Sequence, residues 1–366
     1  MSREFSIAVV GCGAAGIAAA ITAARAGHAT LLFDKLPGPG GTGGFSGLTT
    51  LCGLYDEEGR FLNDGFTREF ADTLSDKARV KMGRVWVLPY QSQRFRDVSA
   101  SFISSLSNLQ PHWNTPVTNL VINDSRIMNI NGFSVGAVID CSGTAEVARA
   151  IGAECLATDE NTQAPAVIFP LRNVHRALNT LADAAQVLLP LARAGLPAMS
   201  FQPAAEPDVV NVKFTGSPDQ VPQIIRFIRH HISGFEQCET GSTKPRLSNR
   251  AGRMILGEYL LTGADVLAGR KFPDAAARCA WPIEQWNAAG RATFQYLPSG
   301  ACYEIPARAL RAARVENLFM GGKTISADVD AIASARVMGC CLATGVAAAG
   351  LAAQHLKSAR THDALF

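Results

Sequence analysis

The chain has 366 residues, 48% of them hydrophobic and 18% charged, enough apolar material for a large core and one to three domains. Its 34 basic and 31 acidic side chains leave a net charge of +3 with no basic block interleaved with aromatics, which excludes the footprint of a nucleic-acid binder. Nine cysteines without a CxxC pair or a Cys/His array exclude a disulfide scaffold and a structural zinc site, so reduced thiols in a cytoplasmic protein are expected and no metal is.

Ile7 to Val10 is a short β-branched run and predicts a strand. It is followed by Gly11-Cys12-Gly13-Ala14-Ala15-Gly16, and Ala14 to Ala26 is helical in composition, stopping at Gly27. This strand, turn and helix is the setting of a dinucleotide fingerprint. Gly11 makes the tight turn, Gly13 lets a pyrophosphate approach the backbone, and Gly16 lets helix and strand pack closely. The free amides of Ala14 and Ala15 and the helix dipole then face the phosphates. Ala29 to Phe33 predicts a second strand ending in Asp34, about twenty residues on, where an acid takes the ribose hydroxyls. Glu4 and the fingerprint argue against reading this N-terminal apolar run as a signal peptide. From Lys35 the chain enters a second glycine-rich loop, Gly38 to Gly44, where Gly41, Thr42, Gly43 and Gly44 leave backbone free to lie against a diphosphate or ribityl chain.

Farther on, Pro116-Val117 opens a candidate strand, and Arg126–Asn131 and Phe133–Asp140 flank Asn131-Gly132 as a hairpin. Cys141-Ser142-Gly143 then turns away from a strand end. The motif "IIRFIRHHISGF" reads as a helix whose adjacent His230 and His231 diverge, a surface pair rather than metal ligands. Near the C-terminus a strand at Leu318 to Met320 runs into Gly321-Gly322 and a long small-residue helix, in which Val337 to Ala353 is uncharged but reads as buried rather than membrane-spanning. Cys52 and the Cys302-Tyr303-Glu304 stretch are further candidates for chemistry, with small buried thiols the alternative reading, and only one complete GxGxxG is present.

The loop after Asp34 resembles that of the glutathione-reductase-like FAD superfamily, and Cys141-Ser142-Gly143 resembles its Ala-Thr-Gly turn, with Thr144-Ala145-Glu146 where Asp-Gly-Asp often stands. The stretches "GLTTLCGLYD", "RAGRMILGEYLLTGADVLAGRKFPDAAARCAWPIEQW" and "YEIPARALRAARVENLFMGGKTISA" are similar to blocks of the FAD-dependent oxidoreductase family of bacterial flavoproteins, some of them called xanthan-lyase-like. The resemblance implies FAD as cofactor. It implies cofactor contacts at Gly11, Gly13, Ala14, Ala15, Gly16, Asp34, Lys35, Gly41, Thr42, Gly43, Gly44, Val117, Cys141, Ser142, Gly143, Gly321, Gly322, Asp330, Ala331 and Ile332. Where the family carries Arg-Glu-Ser-Arg-Arg, this chain has Arg250-Ala-Gly-Arg253-Met254; two guanidiniums three apart would share a helix face and either clamp an anion or satisfy Glu258 or helix carbonyls at a domain interface. Arg250, Arg253, Cys52 and Tyr303 are therefore the candidate catalytic residues, while a His-Glu pair common in the closing motif is replaced by Asp328-Val329-Asp330.

The expected architecture is α/β, with residues 1–52, 109–156 and 303–366 forming a discontinuous FAD-binding Rossmann domain, and 53–108 and 157–302 an inserted α+β substrate and cap domain. The expected activity is exchange of a hydride or electron pair between flavin N5 and a small organic, anionic substrate. Two rivals are a flavin monooxygenase or tailoring oxidase acting on a peptide or partner protein, and an FAD-binding scaffold or redox sensor without turnover. No membrane or nucleic-acid partner is expected. An oligomer is compatible with the sequence, and the electron donor or acceptor is unspecified by it.

Overall fold

The computed structural model describes residues 4–157, 163–176, 178, 181–240 and 244–363. Its largest sheet has seven strands: β1 (Glu4–Val10), β2 (Thr30–Phe33), β6 (Leu109–His112), β7 (Leu120–Asn123), β8 (Arg126–Ile130), β9 (Phe133–Asp140) and β20 (Leu318–Met320). The order is β6-β2-β1-β9-β8-β7, with β20 also on β9. The pairs β6–β2, β2–β1, β1–β9 and β9–β20 are parallel, whereas β7–β8–β9 is an antiparallel meander. Parallel strands are covered on both faces, which is why β2 is buried at every residue. Helix α1 (Ala14–Arg25) lies on this sheet, and α10 (Met338–Asp363) packs along α1.

Small residues make that helix pair possible. A Cβ on Gly345 of α10 would fall 2.1 Å from the carbonyl oxygen of Ala15, and one on Gly16 would fall 1.7 Å from that of Gly11. Residues 338–359 are long and apolar enough to cross a membrane, yet 61% of the most apolar stretch is buried inside the protein, much of it against α1. The predicted closing helix is in fact two, since α9 (Val329–Ala335) stops at Arg336 before α10 begins. Pro116 and Val117 lie in coil between β6 and β7 rather than in a strand. Proline lacks a ladder donor, and the Asn131 side chain instead holds this segment, donating to Pro116 O at 3.0 Å and accepting from the Thr118 and Asn119 amides.

The segment after β2 makes a short helical turn, α2 (Gly41–Phe45), and a three-stranded sheet of β3 (Thr50–Cys52), β4 (Val80–Met82) and β5 (Val85–Pro89), accompanied by α3 (Phe66–Leu74) and α4 (Ser92–Ser104). After α5 (Glu146–Ala150) and β10 (Cys155–Ala157), a four-stranded antiparallel sheet forms from β11 (Ala166–Leu171), β12 (Met199–Pro203), β13 (Val210–Phe214) and β14 (Arg246–Ser248). Helices α6 (Leu181–Arg193) and α7 (Val221–His231) cover one face of it, and His230 and His231 are exposed on α7.

The pleat sends alternate side chains to opposite faces. Val167, Phe169, Val212 and Phe214 enter a core of their own with Ile224 and Ile228 of α7, separate from the core of the seven-stranded sheet. Their neighbours Ala166, Ile168, Ser200, Gln202, Lys213 and Ser248 face the other way. The chain returns through β15 (Arg253–Ile255), α8 (Gly263–Leu267), β16 (Ala275–Cys279), the hairpin β17 (Ile283–Trp286) and β18 (Ala292–Gln295), and β19 (Tyr303–Pro306). Strand β15 pairs with β10, and β16 with β19.

Gly345→Ala tests the helix crossing: overpacking against the Ala15 carbonyl is expected to lower the unfolding free energy by about 1–3 kcal/mol, read as an earlier urea midpoint. An unchanged midpoint would contradict the close approach of α10 to α1.

Candidate functional site

A cavity of about 450 Å³ begins at the N-terminus of α1 and ends under the open face of the four-stranded sheet. Gly11, Gly13, Ala14, Ala15, Asp34, Lys35, Gly41, Thr42, Gly43, Cys141, Ser142, Gly143 and Gly322 line it together, although they come from four separate stretches of chain. Gly11 is at φ +92° with Cys141 O 2.6 Å from its Cβ position, so the turn tolerates no side chain. Gly13 differs. A Cβ there would meet nothing nearer than Gly41 Cα at 3.9 Å, so the missing side chain leaves room toward the cavity. No side chain caps α1 at Gly13, and its first-turn amides therefore remain for an anion.

Asp34 accepts the Cys12 amide on Oδ2 and the Leu36 amide on Oδ1, which locks the end of β2 to the fingerprint turn. Burial pushes its carboxyl above the usual range despite these donors. Lys35 pairs with Glu146 at 2.5 Å. Val117 lines a side cleft there with Asp34, Lys35 and Glu146. The second glycine loop is held from behind: Tyr90 donates to Gly43 O at 2.9 Å, and Arg96 of α4 donates to Gly44 O. The Cβ position of Gly44 points at Arg96, so its smallness serves packing.

The Cys141-Ser142-Gly143 turn is built on Asp140, which is fully buried. Its Oδ1 accepts from the Ser142 amide and hydroxyl and its Oδ2 from the Val147 amide, starting α5. Lys323 crosses this turn, with its Cε 2.9 Å from the Cβ position of Gly143 and Nζ donating to Ala251 O at 3.3 Å. Burial, reinforced by Arg336, lowers its ammonium to about 8.

At the far end, Glu284 receives both indoles of its hairpin: Trp281 Nε1 on Oε2 at 3.0 Å and Trp286 Nε1 on Oε1 at 2.5 Å. Burial alone would raise this carboxyl, but Lys213, Arg336 and the indole donors bring it down to about 2. Lys213 Nζ stands 3.7 Å from Glu284 Oε1. Arg250 donates to Ala164 O at 2.5 Å and lies over the Trp286 ring, 4.7 Å from its centroid, and Arg336 donates to Glu284 O at 3.0 Å. Cys52 joins the wall because Gly53 and Gly339 close-pack, a Cβ on Gly339 falling 2.5 Å from the Gly53 carbonyl carbon. Burial pushes the Cys52 thiol up to about 12, so it stays protonated at neutral pH.

Several candidates lie elsewhere than expected. Arg250 and Arg253 do not share a helix face, because residues 249–252 form a loop between β14 and β15. Arg250 turns into the cavity and Arg253 is exposed on β15. Tyr303 is fully buried behind the cavity wall, its hydroxyl 2.9 Å from Ser334 Oγ. Asp330, Ala331 and Ile332 do not line the cavity, since Asp328 caps α9 and also accepts from the Gly263 amide, fixing that helix start to α8. The cavity instead meets Ala333 later in α9, and Arg336, Val337 and Met338 at the start of α10. Gly16 and Gly321 stand one layer back, Gly16 against Gly11 and Gly321 against Cys141 Sγ. Lys213, Glu284, Trp281, Trp286, Lys323 and Arg336 were not among the sequence candidates. A lysine inside the apolar run of β13 and an acid between two tryptophans are the signals that could have found two of them.

The family model described as FAD dependent oxidoreductase matches residues 6–204 and 185–365. A search of the curated proteins gives no match. Among solved structures, the chain is similar to a geranylgeranyl bacteriochlorophyll reductase-like protein of Thermoplasma acidophilum, with 14% identity, 97% of this chain and 79% of that one covered, and a TM-score of 0.52. It is also similar to PqsL of Pseudomonas aeruginosa in complex with 2-aminobenzoylacetate, with 11% identity, 98% and 88% covered, and a TM-score of 0.52. CabE, an aromatic hydroxylase from angucycline biosynthesis, shares 11% identity over 97% of this chain and 63% of its own longer one, with a TM-score of 0.53. With nearly every residue matched by the family model, on a Rossmann-like parallel sheet whose two glycine loops and acid face one cavity, the chain belongs to the FAD-dependent oxidoreductases and is a flavoprotein enzyme.

Proposed function

We propose that this enzyme exchanges a hydride or electron pair between FAD N5 and a small organic molecule held under the four-stranded sheet. In this reading residues 1–52, 109–156 and 303–366 are a glutathione-reductase-like FAD domain, and 53–108 and 157–302 are the inserted substrate and cap domain. The observation that carries it is the continuity of the cavity, from the fingerprint turn at one end to the polar face of β11–β14 at the other. When bound, FAD supplies the two-electron chemistry.

The chain's own residues do the rest. The α1 amides, Gly13 and the Gly41–Gly43 loop would hold the diphosphate and the chain beyond it, and Asp34 the ribose. Arg336 and the first turn of α10 put positive potential at the chamber, which favours negative charge on a reduced ring. The sheet face and the Trp281–Tyr296 hairpin exclude water and orient the substrate. Cys52, held as a thiol, is a wall residue rather than a nucleophile.

A second reading, oxygen insertion, draws on the shared fold with PqsL, elsewhere described as 'a probable FAD-dependent monooxygenase', and with CabE. Photoreduced enzyme exposed to oxygen separates the two: release of peroxide alone supports plain oxidoreduction, whereas labelled oxygen in an added organic substrate supports insertion.

The purified protein is expected to absorb near about 370 and 450 nm and to release FAD on denaturation; a colourless protein that takes up no added FAD would refute the reading. Gly13→Val is expected to keep the wild-type circular dichroism spectrum, as its Cβ meets no neighbour closely, while binding FAD at least about tenfold more weakly by fluorescence titration. Retained stoichiometric FAD would place the diphosphate elsewhere. Lys323 generates a pH prediction. Its pKa of about 8 in the protein lies below the ordinary lysine value, and a nearby diphosphate restores the charge. FAD affinity of the apoprotein should therefore be full below pH 8 and fall as pH rises above it, and Lys323→Met should remove that fall.

A further inference from the structure

Three cations, Lys213, Arg250 and Arg336, face the single carboxylate of Glu284 at the sheet end of the cavity. Glu284 is already engaged on both oxygens by indole N–H groups, and Lys213 at 3.7 Å stands beyond hydrogen-bond distance from it. Lys213 Nζ thus donates no hydrogen bond among the described residues. Arg250 is only 9% exposed, and its Nη2 has no partner either. Arg336 is spent on the carbonyl oxygens of Glu284 and Arg250. A buried guanidinium with an idle donor, beside a largely buried ammonium that only approaches Glu284, leaves donor capacity pointing into one chamber that an anion would complete.

The body of that anion is also specified by the walls. Trp286 lies within 5.2 Å of Lys213 Nζ and 4.7 Å of the Arg250 guanidinium carbon, measured to the ring centroid. At the mouth, Phe294 and Tyr296 are 45% and 42% exposed, with rings inclined by 25° and centroids 6.4 Å apart. Large aromatics left open on a two-stranded hairpin offer stacking surface to a flat ligand.

We infer that the chamber binds a planar, aromatic carboxylate, its carboxylate between Lys213 and Arg250 and its ring against the Trp286, Phe294 and Tyr296 side chains. This rests on the proposed function, because the chamber is the same one in which the substrate meets the flavin. A guanidinium and an ammonium together suit a carboxylate: Arg250 offers a planar donor and Lys213 a mobile point charge. Glu284 sets the position of Lys213 and both indoles and repels an anion that binds one step too deep.

The test titrates the FAD-loaded protein with benzoate and with its neutral counterpart benzamide, following the visible flavin spectrum. Benzoate is expected to give a saturable shift and benzamide at least about tenfold weaker binding. Lys213→Met should weaken benzoate by a similar factor and leave benzamide unchanged, and Lys213→Arg should recover most of the loss; the flavin spectrum of each variant reports that it is folded and loaded. Equal binding of the two probes, no shift with either, or wild-type benzoate affinity in Lys213→Met would overturn the proposal while the flavin spectrum left the proposed function standing. Protein without flavin absorbance would instead strike down both.

Discussion

Backbone touching backbone is the constraint on which this structure depends. Around the first turn of α1, Gly16 lies on Gly11, Gly41 on Gly13 and Gly345 on Ala15, each at a distance that no Cβ would permit. These contacts bring three remote stretches to one point: the N-terminal fingerprint, the second glycine loop and the C-terminal helix. A fourth such contact, Gly53 on Gly339, does the same for Cys52 and the start of α10. Four glycine approaches thereby set the depth and direction of the cavity before any polar group acts in it.

Polar groups then work on that frame by fixing the ends of elements rather than by pairing freely. Asp34 ties β2 to the fingerprint turn, Asp140 ties β9 to α5, and Asp328 ties α8 to α9, each through backbone amides. Carboxylates used in this way are satisfied by fixed donors and hold geometry with little freedom. Glu284 belongs to the same pattern with side-chain donors, two indoles in place of amides. Its consequence differs, because it leaves the neighbouring cations with capacity to spare.

The two sheets divide the labour. The parallel sheet is apolar on both faces and presents its strand ends, where turns and helix N-termini converge on the cavity. The antiparallel sheet is apolar on one face only, against α7, and its second face closes the chamber with Ser200, Gln202 and Lys213. Strand alternation alone turns Lys213 inward while Val212 and Phe214 build the core beneath it.

Local regularity is what the sequence by itself determined. The fingerprint, the acid after β2, the Asn131-Gly132 hairpin and the terminal strand at Leu318–Met320 each rest on neighbours within a few residues, and each is legible from spacing and turn chemistry. The glycine-lined end of the cavity was readable for that reason, and the family from the resemblance of three longer stretches. The chamber was not. Its walls come from β3, β13, the loop before β15, the β17–β18 hairpin and the α9–α10 junction, whose separations in sequence carry no period to detect. Arg250 and Arg253 looked like one helical clamp, but a loop separated them; Asp330 to Ile332 looked like the helix start beside the ring, but the Asp328 cap fixed that start to α8, and the cavity is met by Ala333 and the start of α10 instead. Only the tertiary structure decided which buried charges face one another, because charge pairing across a cavity depends on sheet register and helix crossing, and those are set by packing between segments that sequence proximity does not relate.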